Sequence, residues 1–399
     1  MKSILILAPY DNIYPPMNGG MQRCFHIINQ LASHFKLTVI IHQDKNCFLK
    51  ASGYYPSIST IKIYSTKEER APNDIFNLLP RNLGNSLRYK WIKKQLISPA
   101  NGSFLQYYPV LKRVLKMKHF DAIILENLFT INAVKTIRKL TKETKIIYDA
   151  HNVDTHLAKG NEHLRGIRKT ESELYKTVDA IFSCSEKDKC DFLKMNMNRL
   201  RVGVIPNGVS VGHICNQPIV SRSPEFILFC GSLWSAPNSE GLLWFYKKVW
   251  HRVREMSPEL KLLIVGGGQL PEGFEPLMID PSLVFTGSVA DVKPFYEKAA
   301  VAIVPLLNGS GTRLKILEAM SFGLPVVSTA KGAEGIDYSE GMDILLANDE
   351  IEFANKLTSL LENKEKRILM SKAGRDLVEK KYDWNLIGKL MCNFINSIN

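Results

Sequence analysis

The sequence lacks several patterns that would assign a chemistry directly. No two Asp residues stand two positions apart, so the Asp-x-Asp pattern of many divalent-metal sites is absent. The seven cysteines are scattered without zinc-site spacing, and no Gly-x-Gly-x-x-Gly follows a strand. These absences argue against a metal centre and a dinucleotide fingerprint, and the cysteine usage fits a reducing, cytoplasmic compartment.

Long apolar runs are missing as well. No stretch approaches the roughly 20 residues of a membrane-spanning helix. The segment Ser3–Ala8 supplies only six apolar or small residues before Pro9, which predicts a first strand rather than a signal peptide.

Acidic residues are missing from residues 75–120, where nine basic residues are interleaved with aromatic ones. Residues 1–205 carry 32 Lys and Arg against 17 Asp and Glu, whereas residues 206–399 carry 20 against 22. A basic surface with aromatic side chains suits anionic lipid headgroups or nucleic acid, and a solvated helix face is the alternative. We expect 75–120 to bind an anionic membrane surface, with no nucleic acid as partner.

Apolar segments alternate with amphipathic helical segments along the whole chain, which predicts α/β layers with parallel sheets. A chain of 399 residues exceeds one ordinary core, so two domains are expected. We predict two doubly wound domains and a final helix that returns to the first domain. The predicted segments are a domain at 1–205, a linker at 206–224, a domain at 225–382 and a helix at 383–399.

Short apolar runs bounded by turn residues mark the strands. In the first domain they predict Ser3–Ala8, Leu37–His42, Ile58–Tyr64, Ala122–Leu125, Ile146–Asp149, Ala180–Cys184 and Val202–Ile205. In the second they predict Phe226–Cys230, Lys261–Val265, Leu283–Thr286, Val301–Pro305, Val326–Ser328 and Ile344–Leu346. Ligands of such folds bind at the carboxyl ends of the strands, so we expect a site in an interdomain cleft lined by the following loops.

Glycines follow three of these strands. Gly19 and Gly20 open the first helix, Gly231 precedes Ser232, and a triple glycine at 266–268 follows Lys261–Val265. Glycine lets a backbone approach a ligand phosphate closely. An ordinary turn is the alternative for Gly19 and Gly20 and for the triple glycine.

Residues 308–329 give the most specific signal: an apolar strand runs into a Gly/Ser loop that starts a helix. The free N–H groups of a helix start form an anion site. Arg313 and Lys315 stand in the first turn, where cations oppose the helix dipole, so a multiply charged anion is expected there. Glu318, three residues after Lys315, is placed to accept hydrogen bonds from sugar hydroxyls. A ribose diphosphate fits all these groups.

A histidine, His151, follows the predicted strand Ile146–Asp149 and is flanked by Asp and Asn residues. Its position just beyond a strand end favours a ligand-facing role, and a structural histidine is the alternative. A metal site is not favoured, because His151 and His156 are five apart and lack a supporting carboxylate pattern.

Residues 309–329 resemble the donor-site signature of the retaining GT-B glycosyltransferases of family 4. Glu318, Gly323 and Pro325 match that signature, and Gly19, Gly20 and Arg23 match its Gly-Gly-x-x-Arg. Two departures stand out. Ser310 replaces the first of two glutamates eight positions apart, and Ser232 and Pro237–Ser239 replace an Arg and a Lys that neutralise the diphosphate. We expect Arg313 and Lys315 to supply that charge instead.

The resemblance implies a GT-B fold and a metal-independent hexosyltransferase that needs no cofactor. Its substrates would be a nucleotide-diphosphate sugar and a saccharide or lipid-linked acceptor, in cell-surface polysaccharide synthesis at the cytoplasmic face of a membrane. It implies His151 as a contact to the donor sugar, and we expect His151, Arg313 and Lys315 to be the catalytic residues. The implied donor-binding residues are Gly19, Gly20, Gly231, Ser232, Gly266, Gly267, Ser310, Gly311, Thr312, Leu314 and Glu318.

Two other functions stay open. A nucleotide-sugar 2-epimerase has the same fold and needs carboxylates as acid and base, for which the sequence offers only Asp149 and Glu318. A non-catalytic nucleic-acid-binding or scaffold protein rests on the positive charge alone.

Overall fold

The computed structural model describes residues 1–16, 18–67, 104–156, 161–195, 200–211, 224–268, 274–309 and 313–398. Most of the basic segment 75–120, including a helix that the sequence predicts at Leu87–Leu96, lies outside the described residues. In the described parts of the chain, no helix is both long and apolar enough to cross a membrane.

The chain forms two compact units. The first comprises Met1–Pro206 together with Ile387–Asn399, and the second comprises Asn207–Leu386. Each unit is a parallel sheet with helices packed against it. The predicted α/β class with two Rossmann-like domains is confirmed.

The first unit contains a seven-stranded parallel sheet in the order β3-β2-β1-β4-β5-β6-β7. Its strands are β1 Ser3–Ala8, β2 Lys36–Ile41, β3 Lys62–Ser65, β4 Ala122–Glu126, β5 Lys145–Asp149, β6 Ala180–Ser183 and β7 Arg201–Val204. Its helices are α1 Gly19–Ala32, α2 Lys45–Leu49, α3 Phe104–Met117, α4 Ala133–Leu140, α5 Asn161–Ser172 and α6 Glu186–Lys194. The predicted start of the third strand at Ile58 is wrong, because Pro56–Thr60 forms a 3-10 helix.

The second unit contains a six-stranded parallel sheet in the order β10-β9-β8-β11-β12-β13. Its strands are β8 Phe226–Cys230, β9 Lys261–Val265, β10 Leu283–Gly287, β11 Val301–Val304, β12 Val326–Ser328 and β13 Leu345–Leu346. These agree with the predicted strands to within one residue, because strands buried on both faces are near-continuous apolar runs.

The helices of the second unit alternate with its strands. They are α7 Ala236–Trp244, α8 His251–Met256, α9 Glu275–Ile279, α10 Lys293–Lys298, α11 Leu314–Ser321, α12 Glu350–Glu362 and α13 Lys364–Leu377. A π-helical stretch, Phe245–Trp250, joins α7 to α8.

Each sheet has one strand at which the strand order reverses. In the first unit β1 lies between β2 and β4, and in the second β8 lies between β9 and β11. The strands on the two sides of each central strand are reached by crossovers in opposite directions, which opens a crevice beyond the carboxyl end of the central strand. The loops after β1 and β4, and those after β8 and β11, are therefore where ligand-binding groups should collect.

The C-terminal helix α14, Trp384–Asn396, packs against the first unit. The Phe394 ring lies 5.3 Å from the Phe182 ring in edge contact, and the Arg201 guanidinium lies 5.4 Å from the centre of the Phe394 ring. A Cβ atom at Gly203 would lie 2.4 Å from the Phe394 ring. Glycine at 203 is therefore what lets the helix approach the last strand.

We predict that Gly203→Ala lowers the free energy of unfolding by about 1–3 kcal/mol, the usual cost of overpacking. Denaturant titration of the purified chain measures this change. Gly53→Ala is the matched control, because a Cβ atom there meets nothing within 4 Å. Adding Phe394→Leu should restore part of the loss. Equal stability of Gly203→Ala and the control would show that the helix does not need this close approach.

Candidate active site

In the second unit, helix α11 places polar side chains beside the end of β8. Its apolar residues Ile316, Leu317, Ala319 and Met320 are buried in the core. Lys315 and Glu318 lie three positions apart on the remaining side of the helix, where i and i+3 side chains are neighbours. Both are half-buried. The amphipathic pattern of the helix thus places one cation and one carboxylate beside the end of β8.

The ammonium of Lys315 lies where the strand β8 ends. Its Nζ donates a hydrogen bond of 2.7 Å to Asn238 Oδ1 and lies 4.9 Å from the centre of the Phe229 ring. A Cβ atom at Gly231 would lie 2.5 Å from Nζ, so glycine at this position makes room for the ammonium. Burial lowers the pKa of Lys315 to about 8, and the nearby Arg313 charge acts in the same direction.

Asn238, the hydrogen-bond partner of Lys315, belongs to the segment Pro237–Ser239. The resemblance predicts a lysine in this segment, and in this chain a lysine from α11 contacts the segment instead. The side chain of Asn238 also donates 2.7 Å to the Ser232 carbonyl, which fixes the loop after β8.

Arg313 directly precedes α11 and is half-buried. A Cβ atom at Gly309 would lie 2.9 Å from its Nη2, so this glycine with φ 108° lets the guanidinium lie against the loop. Burial lowers the pKa of Arg313, and the charge of Glu334 raises it. Two cations that repel each other at a helix start form a site for an anion.

Glu318 is held by a residue that the sequence did not point to. The hydroxyl of Tyr296 donates 3.2 Å to Glu318 Oε2, and the Tyr296 ring stacks on Phe322 at a centroid distance of 4.8 Å. Burial raises the pKa of Glu318, while Tyr296 and Lys315 lower it. The carboxylate is thus fixed through one oxygen. Leu314, a predicted donor contact, packs partly against the apolar core.

The glycines at 266–268 bring two loops into contact. Leu233 N donates 2.9 Å to the Gly267 carbonyl, and a Cβ atom at Gly266 would lie 2.1 Å from the Gly231 carbonyl oxygen. Gly266 and Gly268 have φ of 145° and 157°, which other residues rarely adopt. Loop packing therefore accounts for these glycines whether or not a ligand binds. Ser310, Gly311 and Thr312 lie outside the described residues, and their roles stay predictions.

In the first unit, the predicted residue His151 is at the centre of a buried charge network. Its Nε2 lies 2.9 Å from Glu126 Oε2 and 3.2 Å from Asp149 Oδ2, and its Nδ1 lies 3.0 Å from the Tyr10 hydroxyl. Burial alone would lower the pKa of His151, but its hydrogen bonds to Asp149 and Glu126 raise it to about 9. The two carboxylates therefore favour the imidazolium form of His151.

Arg23 completes this network. Its Nε and Nη2 donate 2.9 Å and 2.5 Å to the two carboxylate oxygens of Asp149, and its Nη1 donates 2.9 Å to the Ile205 carbonyl. Burial would raise the pKa of Asp149, but Arg23 and His151 hold it well below its usual range. Burial and the Asp149 charge raise the pKa of Glu126. Two cations thus balance two carboxylates inside the protein.

Sequence reasoning missed Glu126, although a signal was present. Glu126 follows the apolar run Ala122–Leu125 as Asp149 ends the next strand, and the two residues are paired in register across β4 and β5. The two carboxylates meet because the sheet order makes β4 and β5 neighbours, and parallel strands bring their carboxyl ends together. The carboxylate pair that the sequence seemed to lack is therefore Glu126 and Asp149.

Glu126, Asp149 and His151 also present ligand atoms within 4.8 Å of one another, a spacing that suits a metal ion. The charges do not favour one. Arg23 binds both oxygens of Asp149, and a protonated His151 turns its Nε2 hydrogen toward the carboxylates. A divalent ion would have to displace both cations.

Gly19 and Gly20 begin helix α1, whose N-terminal residue Asn18 accepts a hydrogen bond from Met21 N. A Cβ atom at Gly20 would lie 2.7 Å from the Tyr10 hydroxyl and 3.3 Å from His151 Nδ1. Two predicted site residues, Gly20 and His151, are therefore brought together at a helix start.

Two family models match this chain. One, described as Glycosyltransferase Family 4, matches residues 18–213, and one described as Glycosyl transferases group 1 matches residues 224–363. These matches support a GT-B glycosyltransferase. They fall on the two units separately and together span most of the chain.

Individual proteins similar to this glycosyltransferase chain agree with the family matches. An uncharacterized 44.6 kDa protein in the cps region of Klebsiella pneumoniae is 24% identical, covering 90% of this chain and 91% of that protein. The sulfoquinovosyl transferase of Arabidopsis thaliana is 34% identical over 33% of this chain and 27% of its own length. The crystal structure of Anabaena HepE in complex with UDP and glucose has a TM-score of 0.70 at 13% identity, covering 100% of both chains. At that identity the likeness shows the fold alone.

We predict that Arg23→Met lowers the free energy of unfolding by about 3–5 kcal/mol, because it leaves a buried carboxylate uncompensated. Adding Asp149→Asn should recover part of the loss, since the network is then neutral again. Arg138→Met is the matched control: Arg138 pairs with Asp179 at 2.6 Å with both side chains one-third exposed, so the loss should stay below about 1 kcal/mol. Chemical denaturation measures all three, and a double variant no more stable than Arg23→Met would contradict the charge balance.

Proposed function

We propose that this glycosyltransferase moves a hexose from a nucleotide-diphosphate sugar to a saccharide or lipid-linked acceptor, with retention at the anomeric carbon. The observation that supports the proposal is the arrangement in the second unit. Lys315 and Arg313 form a cationic site at the start of α11, and Glu318 is held three residues further along. A diphosphate and a ribose are the two adjacent groups that such a site would bind.

The proposed reaction replaces the bond between the anomeric carbon and the β-phosphate oxygen by a bond to the acceptor oxygen. The acceptor hydroxyl loses its proton to the departing phosphate, which leaves on the face that the acceptor enters. Negative charge grows on the leaving diphosphate, and fixed cations in a desolvated site stabilise such charge strongly. Lys315 and Arg313 would supply this stabilisation without a metal ion.

We propose uridine diphosphate as the first nucleotide to test, because HepE was crystallised with UDP and glucose. Glu318 would accept hydrogen bonds from the ribose hydroxyls through the oxygen that Tyr296 leaves open. In the first unit, Gly19, Gly20 and the His151 network are the proposed contacts to the sugar-bearing part of a substrate.

The acceptor proposal rests on less specific observations. The Klebsiella relative is named for the cps region, which fits a role in cell-surface polysaccharide synthesis. The basic segment 75–120 supports peripheral association with the cytoplasmic face of a membrane and a lipid-linked acceptor, although most of it lies outside the described residues.

The pair of carboxylates in the first unit gives little support to an epimerase function. Glu126 and Asp149 are close, but Asp149 is bound by Arg23 and both contact the same imidazolium. Asp149 is a poor base, because Arg23 and His151 hold its pKa well below its usual range, so the two carboxylates do not form an acid/base pair.

We predict that a panel of UDP-, GDP-, ADP- and dTDP-sugars, tested by thermal shift and by transfer to saccharide acceptors in excess EDTA, reveals at least one active donor. A ligand at a hundred times its Kd should add about 2.7 kcal/mol of stability. With that donor, Lys315→Gln and Arg313→Gln should each lower kcat by about 100-fold or more. Glu318→Gln should weaken nucleotide binding.

Lys298→Gln is the matched control for Lys315→Gln. Lys298 lies 4.0 Å from the centre of the Phe226 ring, at the other end of the strand that carries Phe229. The Lys298→Gln variant should keep full activity. Unchanged turnover in both Lys315→Gln and Arg313→Gln would remove the diphosphate role, and activity lost in EDTA but restored by Mg²⁺ would contradict metal independence.

A further inference from the structure

Tyr10, the second residue after β1, places its hydroxyl against the buried network of the first unit. The Tyr10 ring lies 6.0 Å from the His151 ring with 26° between the planes, and the side chain is half-buried. Its hydroxyl contacts His151 Nδ1 at 3.0 Å and Asn127 Nδ2 at 3.4 Å. We call Tyr10, Glu126, Asn127, Asp149 and His151 the Tyr10 cluster.

Neither ring nitrogen of His151 is left for a substrate. Nε2 faces the carboxylates of Glu126 and Asp149, so it must carry a hydrogen that it donates to them. Nδ1 faces the Tyr10 hydroxyl. The side chain of His151 is only 9% exposed. A substrate atom would reach this histidine only by displacing one of its partners.

The hydrogens of the Tyr10 cluster can be counted. The Asn127 amide can only donate through Nδ2, so the Tyr10 oxygen accepts there. With two carboxylates at Nε2, the ring of His151 is held as an imidazolium, and its Nδ1 also donates to the Tyr10 oxygen. That oxygen then accepts twice, and its own hydrogen needs an acceptor. With His151 in this form, neither contact of the Tyr10 oxygen in the described residues can accept that hydrogen.

The start of helix α1 lies directly beside the hydroxyl. A Cβ atom at Gly20 would lie 2.7 Å from the Tyr10 oxygen, so the glycine keeps a side chain away from it. Gly20 lies in the first turn of the 14-residue helix α1, whose positive end favours an oxygen ligand with negative charge.

The backbone at Asn127 supports a functional purpose for this arrangement. Asn127 has φ 63° and ψ 169°, and it is the one non-glycine residue with positive φ in the described chain. That region is almost restricted to glycine and costs about 1–3 kcal/mol. The strained residue is the one whose amide holds the Tyr10 oxygen, which is what a preorganised donor requires.

We propose that Tyr10, rather than His151, is the residue through which the first unit donates a hydrogen bond to a substrate oxygen. Glu126, His151 and Asn127 are then positioning residues, which act by orienting and polarising the Tyr10 hydroxyl. The acceptor is a sugar hydroxyl or a phosphate oxygen, because both offer lone pairs to a phenolic hydrogen. This inference rests on the proposed glycosyltransferase function.

The test compares Tyr10→Phe, Glu126→Gln and the double variant, using the active donor of the panel and its nucleotide diphosphate alone. Tyr10→Phe should lower kcat/KM by about 10- to 100-fold, as expected for one polarised hydrogen bond. Glu126→Gln should cause a loss of similar or smaller size. In the double variant the loss should equal that of Tyr10→Phe, because Glu126 acts only through Tyr10.

The affinity for the nucleotide diphosphate alone identifies the group that accepts the hydrogen bond from Tyr10. Unchanged affinity for the nucleotide diphosphate in Tyr10→Phe assigns the hydrogen bond to a sugar hydroxyl, and weakened affinity assigns it to a phosphate oxygen. Tyr148→Phe is the matched control: the Tyr148 hydroxyl is buried on β5 without a hydrogen-bond partner in the described chain, and its removal should leave activity intact. Melting temperatures identify any variant that fails to fold.

Wild-type kcat/KM in Tyr10→Phe would overturn the proposal. So would a Glu126→Gln loss that multiplies with the Tyr10→Phe loss, because His151 would then contact the substrate directly. Absence of transfer by the wild-type chain with every donor would instead reject the proposed function, and the two failures are thereby distinct.

Discussion

The second unit depends on an ammonium group in a place that is poor for a cation. Lys315 is held between the Phe229 ring and the Asn238 side chain, with the Arg313 charge nearby. Burial and this repulsion disfavour the charged lysine, which lowers its pKa to about 8. The proposed diphosphate would reverse this balance, because it attracts both cations at once.

Several neighbouring features follow from that constraint. Gly231 is small because the ammonium occupies the space of a side chain, and Asn238 offers a carbonyl oxygen rather than a competing positive charge. The loops after β8 and β9 are fixed to each other through the glycines at 266–268. The loops of the site are thus fixed to each other around two cations at one helix start, a combination that suits binding a leaving group whose charge grows during reaction.

In the first unit, unlike the second, the buried charges are compensated within the protein. Arg23 and His151 balance Asp149 and Glu126 in the described structure, so this network needs no ligand for its stability. It holds Tyr10 in one orientation at the start of α1. In the proposed function the second unit therefore supplies charge to a ligand, whereas the first supplies an oriented hydroxyl.

The sequence was sufficient where local physics decides the structure. The strands Phe226–Cys230 and Lys261–Val265 were predicted at their observed bounds, because a strand buried on both faces must be an apolar run. The cations at 313 and 315 were recognisable because they oppose a helix dipole.

Contacts between segments that are far apart in the sequence could not be predicted in this way. The contact of Lys315 with Asn238 joins residues far apart in the chain, as does the hydrogen bond from Tyr296 to Glu318. His151 shows the same limit: its position after a strand was predicted, but its enclosure by Glu126 and Tyr10 arises from sheet order. A pattern along one strand cannot show which neighbour it will have.

The most direct measurement of the central claim is proton uptake on binding of UDP, from calorimetric titrations at pH 8.5 in buffers of different ionisation enthalpy. A diphosphate bound at Lys315 should return its pKa toward the ordinary value, so the wild-type chain should take up a substantial fraction of one proton per nucleotide. Lys315→Gln should take up none, and Lys298→Gln should behave as the wild type. Binding of UDP without proton uptake, or equal uptake by Lys315→Gln, would contradict the claim that this desolvated lysine is the receptor for the diphosphate.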